Sequence, residues 1–214
     1  AYVNWLNNKD INKYLEIRHT RHTKETVIDY LNTTNKSKNE FLNGIFDIQN
    51  DMHIGNVKVG NINHVYKTGE ISLFIGDKNY WGKRLGKEII ETITGYGFKE
   101  LELQKIEAGC YESNIASLKS FLACGYEIEG LLKGNVVSDG RREGLIRLGI
   151  MKNAKISFKT DIDNNFEMIH LDPSLNLGKN PFKKSIDRLF ELYDYCWSYA
   201  KKTKKKIAFE IGTE

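Results

Sequence analysis

Hydrophobic and polar positions change period several times along the chain, and each change marks an element. Trp5, Leu6, Ile11, Tyr14 and Leu15 give residues 2–17 a helical apolar face, broken at Asn7-Asn8 into two short segments. Thr23 suits the N-cap of a helix over Lys24–Asn32, with Glu25 in its first turn. Alternation then takes over: Phe41–Gln49 and Met52–Ile62 read as strands, and Asn50-Asp51 between them makes an antiparallel hairpin. A loop from Asn61 to Gly69 carries His64 and leads into a strand over Glu70–Ile75. After Gly76-Asp77-Lys78-Asn79, a loop rich in Gly and basic residues (Trp81 to Lys87) feeds a helix striped by Ile89, Ile90, Ile93, Tyr96 and Phe98. Gln104–Tyr111 is a short strand. A helix from Asn114 to Gly125 obeys both cap rules, with Gly in the C′ role. Glu127–Val137 and Glu143–Met151 form a last hairpin across Ser138-Asp139-Gly140. Meander strands, a strand–loop–helix crossover and more strands predict a mixed α/β (α+β) architecture.

The character changes after Lys152. Residues 153–165 are polar without a period and read as a linker. Phe166–Leu171 is a buried-type strand, Lys184–Lys201 an amphipathic helix with Ile186, Leu189, Phe190, Tyr193, Cys196 and Trp197 on one face, and Ile207–Ile211 a second apolar strand. Strand–helix–strand of this length is a βαβ unit, which cannot bury both its faces alone. The predicted domains are therefore 1–152 and a partial unit over 166–214.

The chemistry concentrates in the loop over residues 81–87. A Gly-rich basic segment opening a helix leaves main-chain amides unpaired beside the positive helix end, which suits a phosphate or pyrophosphate. Lys83, Arg84 and Lys87 add full charges. Arg84 strains the backbone if its position demands positive φ. The competing reading is an ordinary crossover with a solvated basic loop. Composition adds limits: a formal charge of +4 with scattered Lys and Arg does not argue for nucleic acid. No apolar run approaches a membrane span and no leader is visible. Cys110, Cys124 and Cys196 are odd in number, lack metal spacing and lie in apolar segments, as buried thiols of a reducing compartment would, so a cytoplasmic protein is expected. The Lys201–Lys206 run favours a helix C-terminus, with nucleic-acid binding the weaker alternative. A start at Ala1 and an end just past an apolar strand suggest a piece of a longer protein.

Residues 71–98 resemble motif A of the Gcn5-related N-acetyltransferases (GNAT), whose (Gln/Arg)-x-x-Gly-x-(Gly/Ala) loop holds the pyrophosphate of acetyl-CoA. Trp81 stands at the first position, Arg84 at the first Gly and Gly86 at the last. Trp81 and Arg84 depart from the pattern, although a Trp-Gly-Lys run is common in the branch that modifies ribosomal proteins and amino sugars. Asn114 to Tyr126 resembles the second signature, Asn-x-x-(Ala/Ser)-x-x-x-(Phe/Tyr)-x-x-x-Gly-(Phe/Tyr), and Arg147-Leu148-Gly149-Ile150-Met151 is similar to the family's ending. The resemblance covers about Tyr2 to Lys152. It implies a GNAT fold, a mostly antiparallel mixed sheet with flanking helices, and a first strand missing ahead of the N-terminal helices.

It further implies that acetyl-CoA lies between splayed strands, its arm pairing near Phe74 and Ile75. The pyrophosphate would rest on Trp81, Gly82, Lys83, Arg84, Leu85, Gly86 and Lys87, and Asn114 would bond the arm. Direct attack of an amine on the thioester needs a base, for which Glu70 and His64 are candidates, and an acid for the thiolate. The family's usual Tyr is Phe121 here, leaving Ser117 or Tyr111. No metal is implied. His19, Arg21 and His22 either contact substrate or form a solvated loop.

Segments such as Ile54-Gly55-Asn56-Val57-Lys58 and Gly69-Glu70-Ile71 look like acetyltransferases of nucleotide-linked amino sugars. The alternatives are a protein N-terminal amine, a ribosomal one included, and a non-catalytic CoA-binding module. A homodimer is compatible with the resemblance. His170-Leu171-Asp172-Pro173-Ser174 and Phe209 to Glu214 resemble two strand ends of a class II tagatose-bisphosphate aldolase-like TIM-type barrel, which would put Asp172 and Glu210 near functional strand ends.

Overall fold

The alternating stretches pair into one six-stranded sheet. Its strands are β1 (Phe41–Asp47), β2 (Met52–Asn63), β3 (Thr68–Ile75), β4 (Lys105–Tyr111), β5 (Glu127–Ser138) and β6 (Arg141–Met151), in the spatial order β1-β2-β3-β4-β6-β5. The computed structural model describes residues 1–153, 159, 162–163, 168–171 and 181–211. Two compact units divide the chain, Ala1–Met151 and Lys152–Glu214. Among the described residues no strand precedes β1, and no helix is long and apolar enough to cross a membrane.

Every neighbouring pair in the sheet is antiparallel except β3 and β4. Those two are parallel and so need a crossover, supplied by α3 (Leu85–Lys99). Ile90, Ile93 and Phe98 are the buried part of its apolar stripe, with Ile89 and Tyr96 half-buried at the margin. Each fully buried side chain of this size contributes roughly 1.5–3 kcal/mol. Contact is close because Gly97 faces β4: a Cβ there would lie 2.7 Å from Ile106 Cδ1. Tyr96 stacks on Phe41 with ring centroids 4.6 Å apart. The helix begins at Leu85, earlier than the stripe indicates, so Leu85, Gly86 and Lys87 belong to its first turn and not to a loop.

Pairing between β3 and β4 runs only from Thr68↔Lys105 to Ile71↔Ala108. Beyond that point residues 72–75 stay with β2, up to Gly55↔Ile75, while residues 109–111 stay with β6, up to Tyr111↔Leu145. Each strand follows its other neighbour, and the sheet opens into a V.

Helices flank this opening. The first, α1 (Tyr2–Leu6), sets Trp5 edge-on to Phe74 and packs it on Gly76, where a Cβ would come within 2.0 Å of the indole. Residues 7–15 carry no second helix; a 3-10 turn spans Glu16–His19 instead. Helix α2 (Lys24–Lys36) outruns its predicted end and starts in a capping box of Thr23 and Thr26. Helix α4 (Ile115–Ala123) is capped by Asn114 and stopped by Gly125 at φ 87°, with the Tyr126 amide donating to the Phe121 carbonyl. The β5–β6 turn places both Asp139 and Gly140 at positive φ, as an Asp-Gly hairpin turn requires, and brings β6 forward to Arg141.

In the second unit, β7 (Met168–Leu171) runs parallel to β8 (Ala208–Ile211), and α5 (Pro181–Thr203) packs on them. Ile169, Leu171, Leu192, Cys196 and Ala200 are buried together. Phe190 and Trp197 of the expected apolar face are more than half exposed. The predicted linker largely, and Phe166, Asp172–Ser174 and residues 212–214, lie outside the described residues. Glu210 is on β8. Cys110 and Cys196 are buried as expected, but Cys124 is only half-buried, its thiol 3.5 Å from the Lys87 carbonyl.

Candidate active site

The V between β3 and β4 opens into a cleft of about 1800 Å³. At one end lies the loop into α3. Arg84 adopts the left-handed conformation (φ 62°, ψ 10°) and Gly82 also has positive φ (74°). No side chain caps α3, and the amides of residues 82–86 meet no acceptor among the described residues. Unpaired donors thus lie beside a positive helix end, an arrangement suited to a pyrophosphate. Gly86 faces α4, where a Cβ would just touch Ser120 Oγ at 3.4 Å and a branched side chain would have to turn into the cleft. Loop and cleft together fit the phosphate and arm of acetyl-CoA.

Gly82, Arg84, Leu85, Gly86 and Lys87 all line the cleft. Lys83 does not: its ammonium lies over the Tyr80 ring, 5.0 Å from the centroid. Trp81 lines the cleft but also closes the end of β3, its Nε1 donating to the Ile75 carbonyl at 2.8 Å. Ile75 therefore has its carbonyl already bonded, and Phe74 stands opposite Asn56 in the β2–β3 ladder, its backbone turned to β2. Asn114 lines the cleft with its Oδ1 accepting the Ser117 amide at 3.3 Å, so the side chain is first a helix cap.

Glu70 also lines the cleft, just before β3 and β4 part. Its Oε1 accepts from Arg147 Nη1 at 2.7 Å and its Oε2 from Asn61 Nδ2 at 3.0 Å. Tyr111 is buried under the Tyr14 ring, and its phenol oxygen accepts from Arg18 Nη1 at 2.6 Å. Since Arg18 supplies that proton, the phenol's own proton is directed elsewhere. Ser117 lines the cleft from the first turn of α4, while Phe121 is buried against Tyr126. His64 is misplaced for a base: it lies outside the cleft, its Nε2 3.1 Å from the Lys38 carbonyl, in a shallow polar depression. Arg21 and His22 reach the cleft; His19 does not.

Burial controls two further groups. The Tyr2 phenol, stacked on Phe74, is pushed up to about 12 by burial and stays a neutral hydroxyl at any working pH. The Cys110 thiol is pushed up by burial as well, which disfavours the thiolate a covalent route would need. Among the described residues no His/Cys/Asp/Glu group could hold a metal ion.

Sequence reading missed Arg147, Arg18 and Asn61. Arg18 reaches Tyr111 from the 3-10 turn, and Asn61 turns toward Glu70 at positive φ (51°) within a bulge between Gly60 and Asn63. Only an irregular Gly-Asn pair inside the β2 alternation hinted at that bulge.

A V-opened mixed sheet with an uncapped helix N-terminus at its mouth defines an acyl-carrier site of the acetyltransferase class. The sequence profile of the acetyltransferase (GNAT) domain matches residues 1–127, and the chain belongs to that family, whose members use acetyl-CoA. A probable N-acetyltransferase, YjcK of Bacillus subtilis (strain 168), is 30% identical over 118 residues, which are 55% of this chain and 64% of that protein. An uncharacterized N-acetyltransferase, p20 of Bacillus licheniformis, is 29% identical over 104 residues, 49% of this chain and 58% of the relative. The chain thus spans about three fifths of the length of these curated relatives. The fold matches a spermidine N-acetyltransferase from Vibrio cholerae in complex with CoA and spermine, with TM-score 0.65, 24% identity, and coverage of 70% of this chain and 87% of that one.

Proposed function

We propose that this chain is an N-acetyltransferase that moves an acetyl group from acetyl-CoA to a primary amine by direct attack, and that the amine belongs to a nucleotide-linked amino sugar. Bound acetyl-CoA supplies an activated thioester carbonyl. The amides of residues 82–86, with Arg84 and Lys87, hold its pyrophosphate, and the V between β3 and β4 receives its arm near Phe74 and Asn114. Glu70 takes the proton of the acceptor ammonium, directly or through one water. Tyr111 gives its proton to the departing sulfur; Ser117 is the alternative donor. The buried Cys110 thiol supports transfer without a covalent enzyme intermediate.

Charge on the acceptor side of the cleft carries the choice of acceptor. Two of the three acids lining the cleft have cationic partners, Glu70 with Arg147 at 2.7 Å and Asp10 with Lys78 at 2.5 Å, and Glu16 is the third. Lys13, Arg21 and His22 add donors along the same wall. A polyamine would meet no surplus of negative charge there, whereas a sugar bearing a nucleoside diphosphate meets complementary groups. Thiol release from acetyl-CoA with nucleotide-linked amino sugars, spermidine and peptides with free N-termini tests this. The reading expects the sugars to give the highest kcat/KM. Preference for spermidine or a peptide contradicts the acceptor, and no turnover with any amine contradicts the enzyme. Glu70→Gln should lower kcat by roughly 10²- to 10³-fold while CoA still binds.

A further inference from the structure

Glu70 and Glu107 are direct neighbours in register on β3 and β4, with two β-carbons on the same face of the sheet. Two carboxylates in that relation repel each other. Arg147 comes from β6, on the far side of β4, where it stands opposite Gly109. Its side chain crosses β4 over that glycine: Nη1 lies 2.7 Å from Glu70 Oε1 and Nη2 3.3 Å from Glu107 Oε2. Gly109 leaves room for the crossing: a Cβ there would be 3.3 Å from Arg147 Nη1 and 3.7 Å from Glu70 Oε1, so a larger side chain would displace the guanidinium. The bridge lies beside the last paired residues, Ile71 and Ala108, after which the strands part.

From this we infer that Arg147 is a positioning residue that straps β3 to β6 across the root of the V and aims the Glu70 carboxylate into the cleft, an inference that rests on Glu70 being the base. One guanidinium fork serves both carboxylates, fixing Glu70 Oε1 from one side while Asn61 fixes Oε2 from the other. Glu107 is held in addition by Lys105 at 3.0 Å, and Lys105 by Glu129 at 2.9 Å, so the strap is anchored to a charge ladder reaching β5. Arginine is required for its two-pronged geometry. A lysine offers one point charge and bridges only one carboxylate at a time.

A double-mutant cycle with the acetyl transfer assay tests the strap, using Arg147→Met, Glu70→Gln and the pair, with CoA affinity as a check on folding. Arg147→Met is expected to lower kcat roughly tenfold to a hundredfold with acetyl-CoA KM little changed, and to have no further effect in the Glu70→Gln background. Arg147→Lys should recover part of the loss. If Arg147→Met lowers the rate equally in both backgrounds, Arg147 acts on substrate and not through Glu70, and the strap is overturned. Full activity in Arg147→Met overturns it too. Full activity in Glu70→Gln instead removes the base assignment, and that outcome is distinct from either failure of the strap. Should Arg147→Met lose CoA binding, Gly109→Val, which closes the crossing while keeping the guanidinium, replaces it in the cycle with the same expectations.

Discussion

Arg84 holds the left-handed conformation that its family pattern normally gives to glycine. An L-residue there costs roughly 1–2 kcal/mol, part of which glycine would lose again through its freer unfolded chain. Arg84→Gly should therefore raise stability by up to about 1 kcal/mol, read as a higher urea midpoint; a lower midpoint would mean the side chain stabilises the loop more than the strain costs. Individual residues were unevenly legible. The strain at Arg84 followed from a local motif, and so did the caps at Thr23, Asn114 and Gly125. Arg147 did not, because its partners are set by register across three strands and by an empty position at Gly109 that no local pattern reveals. His64 was misread for a related reason: proximity to Glu70 in the chain said nothing about a bulge at Asn61 that turns the following loop toward Lys38 and Asn39.

At the scale of elements, α3 does two jobs, seating itself on β4 and offering its first amides to the cleft. The seat depends on Gly97. Gly97→Ala puts a methyl 2.7 Å from Ile106 Cδ1, and the overpacking should cost about 1–3 kcal/mol in unfolding experiments, less whatever helix propensity the alanine returns. No loss would show that α3 can lift without penalty. The offered amides depend on Gly86. Gly86→Val should weaken CoA binding tenfold or more in a direct titration while the melting temperature changes little, and unchanged affinity would place the pyrophosphate elsewhere. Strand and helix identities were readable from period and caps except over residues 7–15, where no second helix forms, but the start of α3 was not. Its apolar stripe begins at Ile89, and the opening residues Leu85, Gly86 and Lys87 fall outside that stripe because they line the cleft.

Across the whole molecule, hairpins were legible from their turn dipeptides, whereas the sheet order was not. That β6 and not β5 lies beside β4 is a long-range choice, made by the buried face of β6 (Leu148, Ile150) against the apolar positions of β4. The V follows from the same choice, since β4 leaves β3 by staying with β6. The two units have separate cores, so a chain ending at Met151 should keep CoA affinity within about threefold of the full chain; loss of binding would mean the acyl-carrier site draws on the second unit. The most direct test of the account is a crystal structure with CoA bound. It should place the pyrophosphate within hydrogen-bond distance of the amides of residues 82–86 and the arm between residues 72–75 and 109–111, and a CoA bound outside the V, or a V closed by β3–β4 pairing along its full length, would contradict it.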